Sequence, residues 1–401
     1  MAVYKTLIEL FDECQIENVA GCLAFEPENK IIVGFEDVLT PDKKNAFRSF
    51  LNQKNISVNI KYIEVKRFDF DDISNKLTYL VENNEDCCFD LTGGEDLVLA
   101  AMGTVAQKYS VPMIQIDIKT GNIIKVKNCK EIKPTNPISI TIKENLSLYG
   151  GALINTGEEW DFNSEFKSDI IKLWGICKND CSIWNKVSPV LSGHLADEPG
   201  LYTEINLKRL NAQSIKTLKL SNVLNKLKDL GIIYSYKKKD NIISFKFKNS
   251  QIKRVITKAG NILELYSYII AKEIDTSEGN FYNDIRIGVK IDWDSKIEHN
   301  IFYKDTKNEI DLFLMRGAVP VFLSCKNGEV HKEDLYELDT VANRFGGKYA
   351  KKILLSTVLS TNSETKFSLM QRARDMNIDI IYNIHTLSKE AYLKILKDKT
   401  S

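Results

Sequence analysis

The sequence predicts an α/β protein: a doubly wound parallel sheet, a small middle region and a second α/β unit. Three observations carry this. Short apolar runs alternate with amphipathic stretches over 5–127, as strands joined by crossover helices do. A second alternation of the same kind occupies about 259–401. Between them the charge changes. Leu207 to Gly260 holds 14 Lys and Arg against two acids, Asp229 and Asp240, so it carries +12 in a chain of net charge +1.

A length of 401 residues accommodates two or three domains, each with its own core. The expected divisions are 1–130, 131–258 and 259–401. The hydrophobic content of 43% is ordinary for a folded domain. No apolar run approaches the roughly 18 residues of a membrane span. Met1-Ala2-Val3-Tyr4-Lys5 has no signal-peptide pattern and leads straight into an apolar strand, so a cytoplasmic protein with no membrane partner is expected. Eight cysteines occur without a C-x-x-C pair, which favours reduced, buried thiols over a zinc site.

In the first unit, strands are expected at Thr6–Phe11, Lys30–Phe35, Val58–Val65, Cys87–Leu91 and Met113–Ile118. Helices are expected at Ile16–Ala24, Pro41–Asn52, Asp71–Asn83 and Glu95–Tyr109. Sheets of this kind bind ligands at the carboxyl ends of their strands. The strongest local signal there is Leu91-Thr92-Gly93-Gly94-Glu95-Asp96, between a strand and a helix. Its glycines permit close backbone approach, the helix start offers free N–H groups to a phosphate, and Thr92 adds a hydroxyl. Glu95 and Asp96 suit a helix first turn but repel phosphate, so they fit capping or contacts to sugar and base. A plain glycine-rich turn explains the six residues equally well. Neither G-x-G-x-x-G nor G-x-x-x-x-G-K-[ST] occurs, which argues against dinucleotide oxidoreductases and P-loop enzymes.

From about 130 to 200 the sequence is less legible; Pro134 and Pro137 suggest a linker. Residues 200–258 have winged-helix character. A helix is expected over Ile215–Leu230, then a hairpin of Ile232–Tyr236 and Ile242–Phe247 around Lys237-Lys238-Lys239. A basic helix and wing suit a nucleic-acid backbone, yet such modules also serve as spacers.

The second α/β unit holds the clearest chemistry. Glu309 and Asp311 stand at i and i+2, so on a strand they share a face. Leu312 to Met315 continues that strand, Arg316-Gly317 turns the chain, and Val319 to Leu323 returns toward Lys326. Two acids and a lysine could hold a divalent metal and activate water against a phosphodiester. A pair of edge-strand surface acids is the plainer alternative. Glu264, in an apolar stretch of the expected helix Ile262–Lys272, either faces solvent or joins the site.

Here the chain resembles a known group. Its first unit, with the 91–96 loop after the fourth strand, resembles the CARF (CRISPR-associated Rossmann-fold) domain. Its last unit resembles the PD-(D/E)xK restriction-endonuclease-like fold, through Gly260-Asn261-Ile262-Leu263-Glu264, Glu309-Ile310-Asp311 and Ser324-Cys325-Lys326-Asn327-Gly328. Together they are similar to CARF-plus-nuclease ancillary effectors of type III CRISPR systems. The resemblance implies a homodimer that binds cyclic oligoadenylate, most often cyclic tetra-adenylate, and then cleaves DNA or single-stranded RNA with Mn²⁺ or Mg²⁺. It implies Asp12, Glu13, Thr92, Gly93, Gly94 and Glu95 as ligand-loop residues. Glu264, Glu309 and Asp311 would be metal ligands and Lys326 the catalytic lysine. Ser324 departs from the pattern, which has an acid two residues before the lysine. A ligand-responsive DNA-binding regulator with an inactive nuclease fold is the competing expectation. A metal-free HEPN-type ribonuclease is excluded, because none of His194, His299, His331 or His385 follows an Arg by four to six residues.

Overall fold

The computed structural model describes residues 3–131, 138–154, 160–195, 200–208, 217–257, 260–295 and 307–401. Pro134 and Pro137, expected in a linker, and the expected helix start at Ile215 lie outside them.

The first unit is the expected sheet. In chain order it comprises β1 (Thr6–Leu10), α1 (Gln15–Phe25), β2 (Asn29–Gly34), α2 (Pro41–Gln53), β3 (Asn59–Glu64), α3 (Phe70–Glu82), β4 (Cys87–Asp90), α4 (Asp96–Tyr109), β5 (Met113–Ile116) and β6 (Ile123–Lys127). The strand order is β3-β2-β1-β4-β5-β6. The first five strands are parallel, and β6 closes one edge antiparallel. The order reverses between β1 and β4, so the loops after these two strands flank the crevice where such sheets bind ligands. Local chemistry sets the helix starts: Thr40 accepts from the Lys43 N–H ahead of Pro41, and Asp69 caps α3 in the same way.

The middle region begins with α5 (Ile142–Leu148), β7 (Ala152–Ile154), α6 (Ser164–Asn179) and α7 (Cys181–Leu195). Next come β8 (Tyr202–Asn206), α8 (Thr217–Asp229), β9 (Ile233–Lys239), β10 (Ile242–Phe247) and α9 (Ser250–Thr257). The expected helix and hairpin are present, and β8 adds a third antiparallel strand in the order β8-β10-β9. Several lysines of the basic segment meet acids nearby. Lys226 pairs with Asp180, and Lys248 with Glu165 and the buried Asp169. Lys237, Lys238 and Lys239 stay at the hairpin tip.

The last unit contains α10 (Asn261–Ser277), β11 (Asp284–Asp292), β12 (Lys307–Arg316), β13 (Val319–Lys326), α11 (Lys332–Gly346), β14 (Lys351–Ser356), α12 (Ser363–Asp375), β15 (Ile378–Ile381) and α13 (Lys389–Thr400). Its strands run β15-β14-β13-β12-β11-β7. β7 therefore belongs to this sheet although it lies within 131–258, so the packing crosses the expected division.

Two apolar clusters organise the molecule. One runs from the first sheet, through α5, onto one face of the second sheet at Ile310, Phe313 and Phe322, with Phe345 of α11 packed on it. The other joins the opposite face, at Leu312, Val321 and Leu323, to α10 and the middle region. All eight cysteines are free and all but Cys129 are buried. No helix among the described residues is long and apolar enough to cross a membrane.

Candidate active site and ligand loops

Glu309 and Asp311 project from β12, and Ser324 and Lys326 from its neighbour β13. All four line one cavity of about 300 Å³. The i, i+2 spacing thus does on β12 what it predicts, and the paired strand supplies the lysine. The Asp311 carboxylate accepts the Cys325 backbone N–H at 2.6 Å and the Ser324 hydroxyl at 3.3 Å. Burial pushes the Asp311 carboxyl up, against the Cys325 N–H and the Lys326 charge that favour its ionised form. Ser324, the departure from the expected acid, orients Asp311 instead of adding a charge.

α11 brings two further acids that the sequence reading missed. Asp334 and Glu337 stand at i and i+3, share a helix face and line the same cavity. Asp334 lies 2.9 Å from the Lys326 ammonium. Burial alone lowers the Lys326 pKa; the Asp334 contact and the charges of Asp334, Asp311 and Glu337 outweigh it, so the net shift is upward. Lys326 is therefore a held cation. Acids three apart at the start of a helix just after the lysine were the available signal, but nothing local says which strand they face.

Glu264 does not line this cavity. It sits in the first turn of α10, which packs on the other face of β13 with Cys325. Burial drives the Cys325 thiol far above its usual range, and the charges of Asp311 and Glu264 add to that. The expected metal set thus meets in the cavity as Glu309 and Asp311. Among the described residues no three His, Cys, Asp or Glu side chains are placed to hold a metal together. The hard oxygens of Glu309 and Asp311 nevertheless suit Mg²⁺ or Mn²⁺, since Mg²⁺ is commonly bound through one or two carboxylates, with water and substrate phosphate completing its shell.

In the first sheet, the loops after β1 and β4 meet as expected. The Asp12 carboxylate accepts the Cys14 N–H at 2.7 Å and the Gly94 N–H at 3.2 Å. The loops approach so closely that a Cβ on Gly93 would come within 2.7 Å of the Asp12 Cβ. Asp12 is thus a cross-brace between loops. Thr92 is buried; its hydroxyl donates to Asp90 and accepts the Ile116 N–H at 2.9 Å. It holds the loop from below, so the expected ligand hydroxyl serves the fold. Glu95 precedes α4 without capping it and pairs with Arg67 at 3.2 Å. Glu13 is exposed, 4.0 Å from Lys43. Arg67 and Lys43, from outside both loops, are the cations flanking them that the sequence reading did not single out.

Beneath the loops lies a fully buried triad of Glu9, Lys30 and Asp90. Burial raises the Glu9 carboxyl well above its ordinary range, and Asp90 adds to this, against the pull of Lys30. Asp90 in turn accepts the Thr92 N–H and hydroxyl, which ties the triad to the loop above it.

No family model and no curated protein matches the sequence. Solved structures do resemble the chain. Protein VC1899 of Vibrio cholerae superposes with a TM-score of 0.77 at 17% identity, covering 99% of this chain and 98% of that one. Can2 of Sulfobacillus thermosulfidooxidans, solved in complex with cyclic tetra-adenylate, superposes with a TM-score of 0.70 at 16% identity, covering 98% of each chain. The fold is shared from end to end. All three architectural parts, not the first sheet alone, therefore belong to one known arrangement.

Proposed function

We propose that this chain is a divalent-metal-dependent nuclease, activated by a cyclic oligoadenylate, that acts in type III CRISPR antiviral defence. The observation that carries the reading is the meeting of Glu309, Asp311 and Lys326 in one cavity. Fold likeness to Can2 over the whole chain supports the choice of cyclic tetra-adenylate as activator. The substrate is DNA, with single-stranded RNA as a second target.

Glu309 and Asp311 would hold Mg²⁺ or Mn²⁺. When bound, the ion supplies charge neutralisation at the phosphate and acidifies water. The chain's own residues do the rest. Ser324 and the Cys325 N–H fix the Asp311 carboxylate in one orientation. Lys326, positively charged, stabilises charge that develops on the phosphate oxygens. The ring would lie over Gly93, Gly94, Glu95 and Glu13, with Arg67 and Lys43 facing its phosphates and Asp12 and Thr92 shaping the loops. The protein works as a homodimer, whose two sets of loops enclose one ring.

The test is cleavage of supercoiled DNA, single-stranded DNA and RNA with Mn²⁺ or Mg²⁺, with and without cyclic tetra-adenylate. Lys326→Ala should reduce cleavage by at least about 10²-fold, the scale set by losing one preorganised charge donor. It should leave saturable ring binding in place, since Lys326 lies in the other sheet. Absence of cleavage under every combination would sink the reading.

A further inference from the structure

Helix α11 touches both sites. Its first turn carries Asp334, which holds Lys326. Its far end leads into Gly347-Lys348-Tyr349, which packs against the start of α1, directly after the Asp12 loop. There Glu17 is 1% exposed. Its carboxylate accepts the Tyr349 hydroxyl at 2.5 Å and lies 2.8 Å from the Lys348 ammonium. The approach is tight: Gly347 has φ +55°, and a Cβ there would come within 3.0 Å of the Cys14 sulfur. Cys14 is the residue whose N–H Asp12 holds, and Asp12 also holds Gly94. A continuous path of named contacts thus runs from the loop after β4, through Asp12, Cys14 and Glu17, to the end of α11.

We propose that α11 is the lever that positions Lys326, and that Glu17 is the positioning residue through which the ligand loops set it. This rests on the proposed function. Three physical features support it. α11 has 15 residues, so it spans about 22 Å as one hydrogen-bonded rod, and a shift at Gly346 reaches Asp334 largely intact. The Glu17 contact is two-pronged and directional, to the Tyr349 hydroxyl and the Lys348 ammonium, so it resists slippage in a way an apolar contact would not. Finally, ten of the eleven residues of α1 are buried, and Gly347 and Tyr349 meet its start at Cys14 and Glu17. Movement of the loops therefore cannot be absorbed by solvent. Without the ring, Asp334 restrains Lys326; with the ring, the shift of α11 releases it toward the Glu309–Asp311 side of the cavity.

The test uses the full chain. Lys348→Met and Tyr349→Phe change the contact from its more exposed side, and Glu17→Gln removes its charge. Each should bind cyclic tetra-adenylate saturably and keep basal cleavage, but lose about tenfold in the ratio of ring-stimulated to basal cleavage, an ordinary size for coupling between sites. Asp334→Asn should instead raise ring-free cleavage by a similar factor. In the wild type, ring binding should alter amide hydrogen exchange over 332–346; in Glu17→Gln the change should stop within the first sheet. Stimulation ratios within twofold of wild type in all three contact variants, with unchanged exchange in α11, overturn the inference and leave the proposed function standing. A wild type that neither binds the ring nor cleaves overturns both.

Discussion

At the scale of single residues, burial decides what a charged group does. Lys326 and Asp311 were legible because a strand has a fixed period of two and a paired strand lies at hydrogen-bonding distance. Thr92 was misleading for the opposite reason: its hydroxyl faces inward, and only the fold shows that Asp90 and the Ile116 N–H already engage it. Glu17 gave no signal at all, being one acid in a helix first turn. Burial pushes its carboxyl from an ordinary 4.5 up to about 7, with the Lys348 and Tyr349 contacts opposing and the Asp12 charge assisting. This has a consequence for stability. Between those two values the folded state keeps a proton that the unfolded state has lost. Stability contributed here is therefore present at the acid end and lost as pH rises toward about 7. Melting temperatures of wild type and Glu17→Gln across that window check it. The wild type should lose stability relative to the variant as pH rises, and parallel curves would refute the assignment.

At the scale of elements, long periodic segments were legible and short edge strands were not. All five parallel strands of the first sheet, and α10, β12 and β13 of the last unit, lie where apolar periodicity places them. β6, β7 and β8 were missed. Each has five residues or fewer; β6 folds back on the neighbouring β5, while β7 and β8 exist only because the distant β11 and β10 offer them an edge. Asp334 and Glu337 were missed for a related reason, since the register of α11 against β13 is a tertiary fact. The strand β13 itself carries a sharp prediction. Phe322 is fully buried and stacks on Phe313 with ring centroids 4.3 Å apart. Phe322→Ala should cost roughly 3–5 kcal/mol through the cavity it leaves. Because Phe322 belongs to the cluster that reaches into the first sheet, its loss should lower one shared unfolding transition. Calorimetry should show a single displaced peak. An early peak for the last unit, with the first unit unmoved, would mean the two cores melt separately.

At the scale of the whole molecule, one chain supplies one pair of ligand loops, those after β1 and β4, at the carboxyl end of its first sheet. The proposed activator, cyclic tetra-adenylate, is two-fold symmetric, and a symmetric ring is best matched by a symmetric pair of sites. One chain also offers an ambivalent surface: Glu13 and Glu95 repel phosphate, while Lys43 and Arg67, each beside one of these acids, attract it. In the proposed dimer, doubling the set around a two-fold axis would place cations at both ends of the ring and leave the acids to sugar and base. Phe68, 90% exposed next to Arg67, is an apolar side chain with no cover inside one chain. The expected outcome is a particle of twice the chain mass by light scattering, and one ring bound per two chains by titration calorimetry. Arg67→Ala should weaken ring binding about tenfold or more, by removing one charge-assisted contact at each end. A monomer that binds one ring per chain, with Arg67→Ala unaffected, would place the ligand somewhere other than between two copies of these loops.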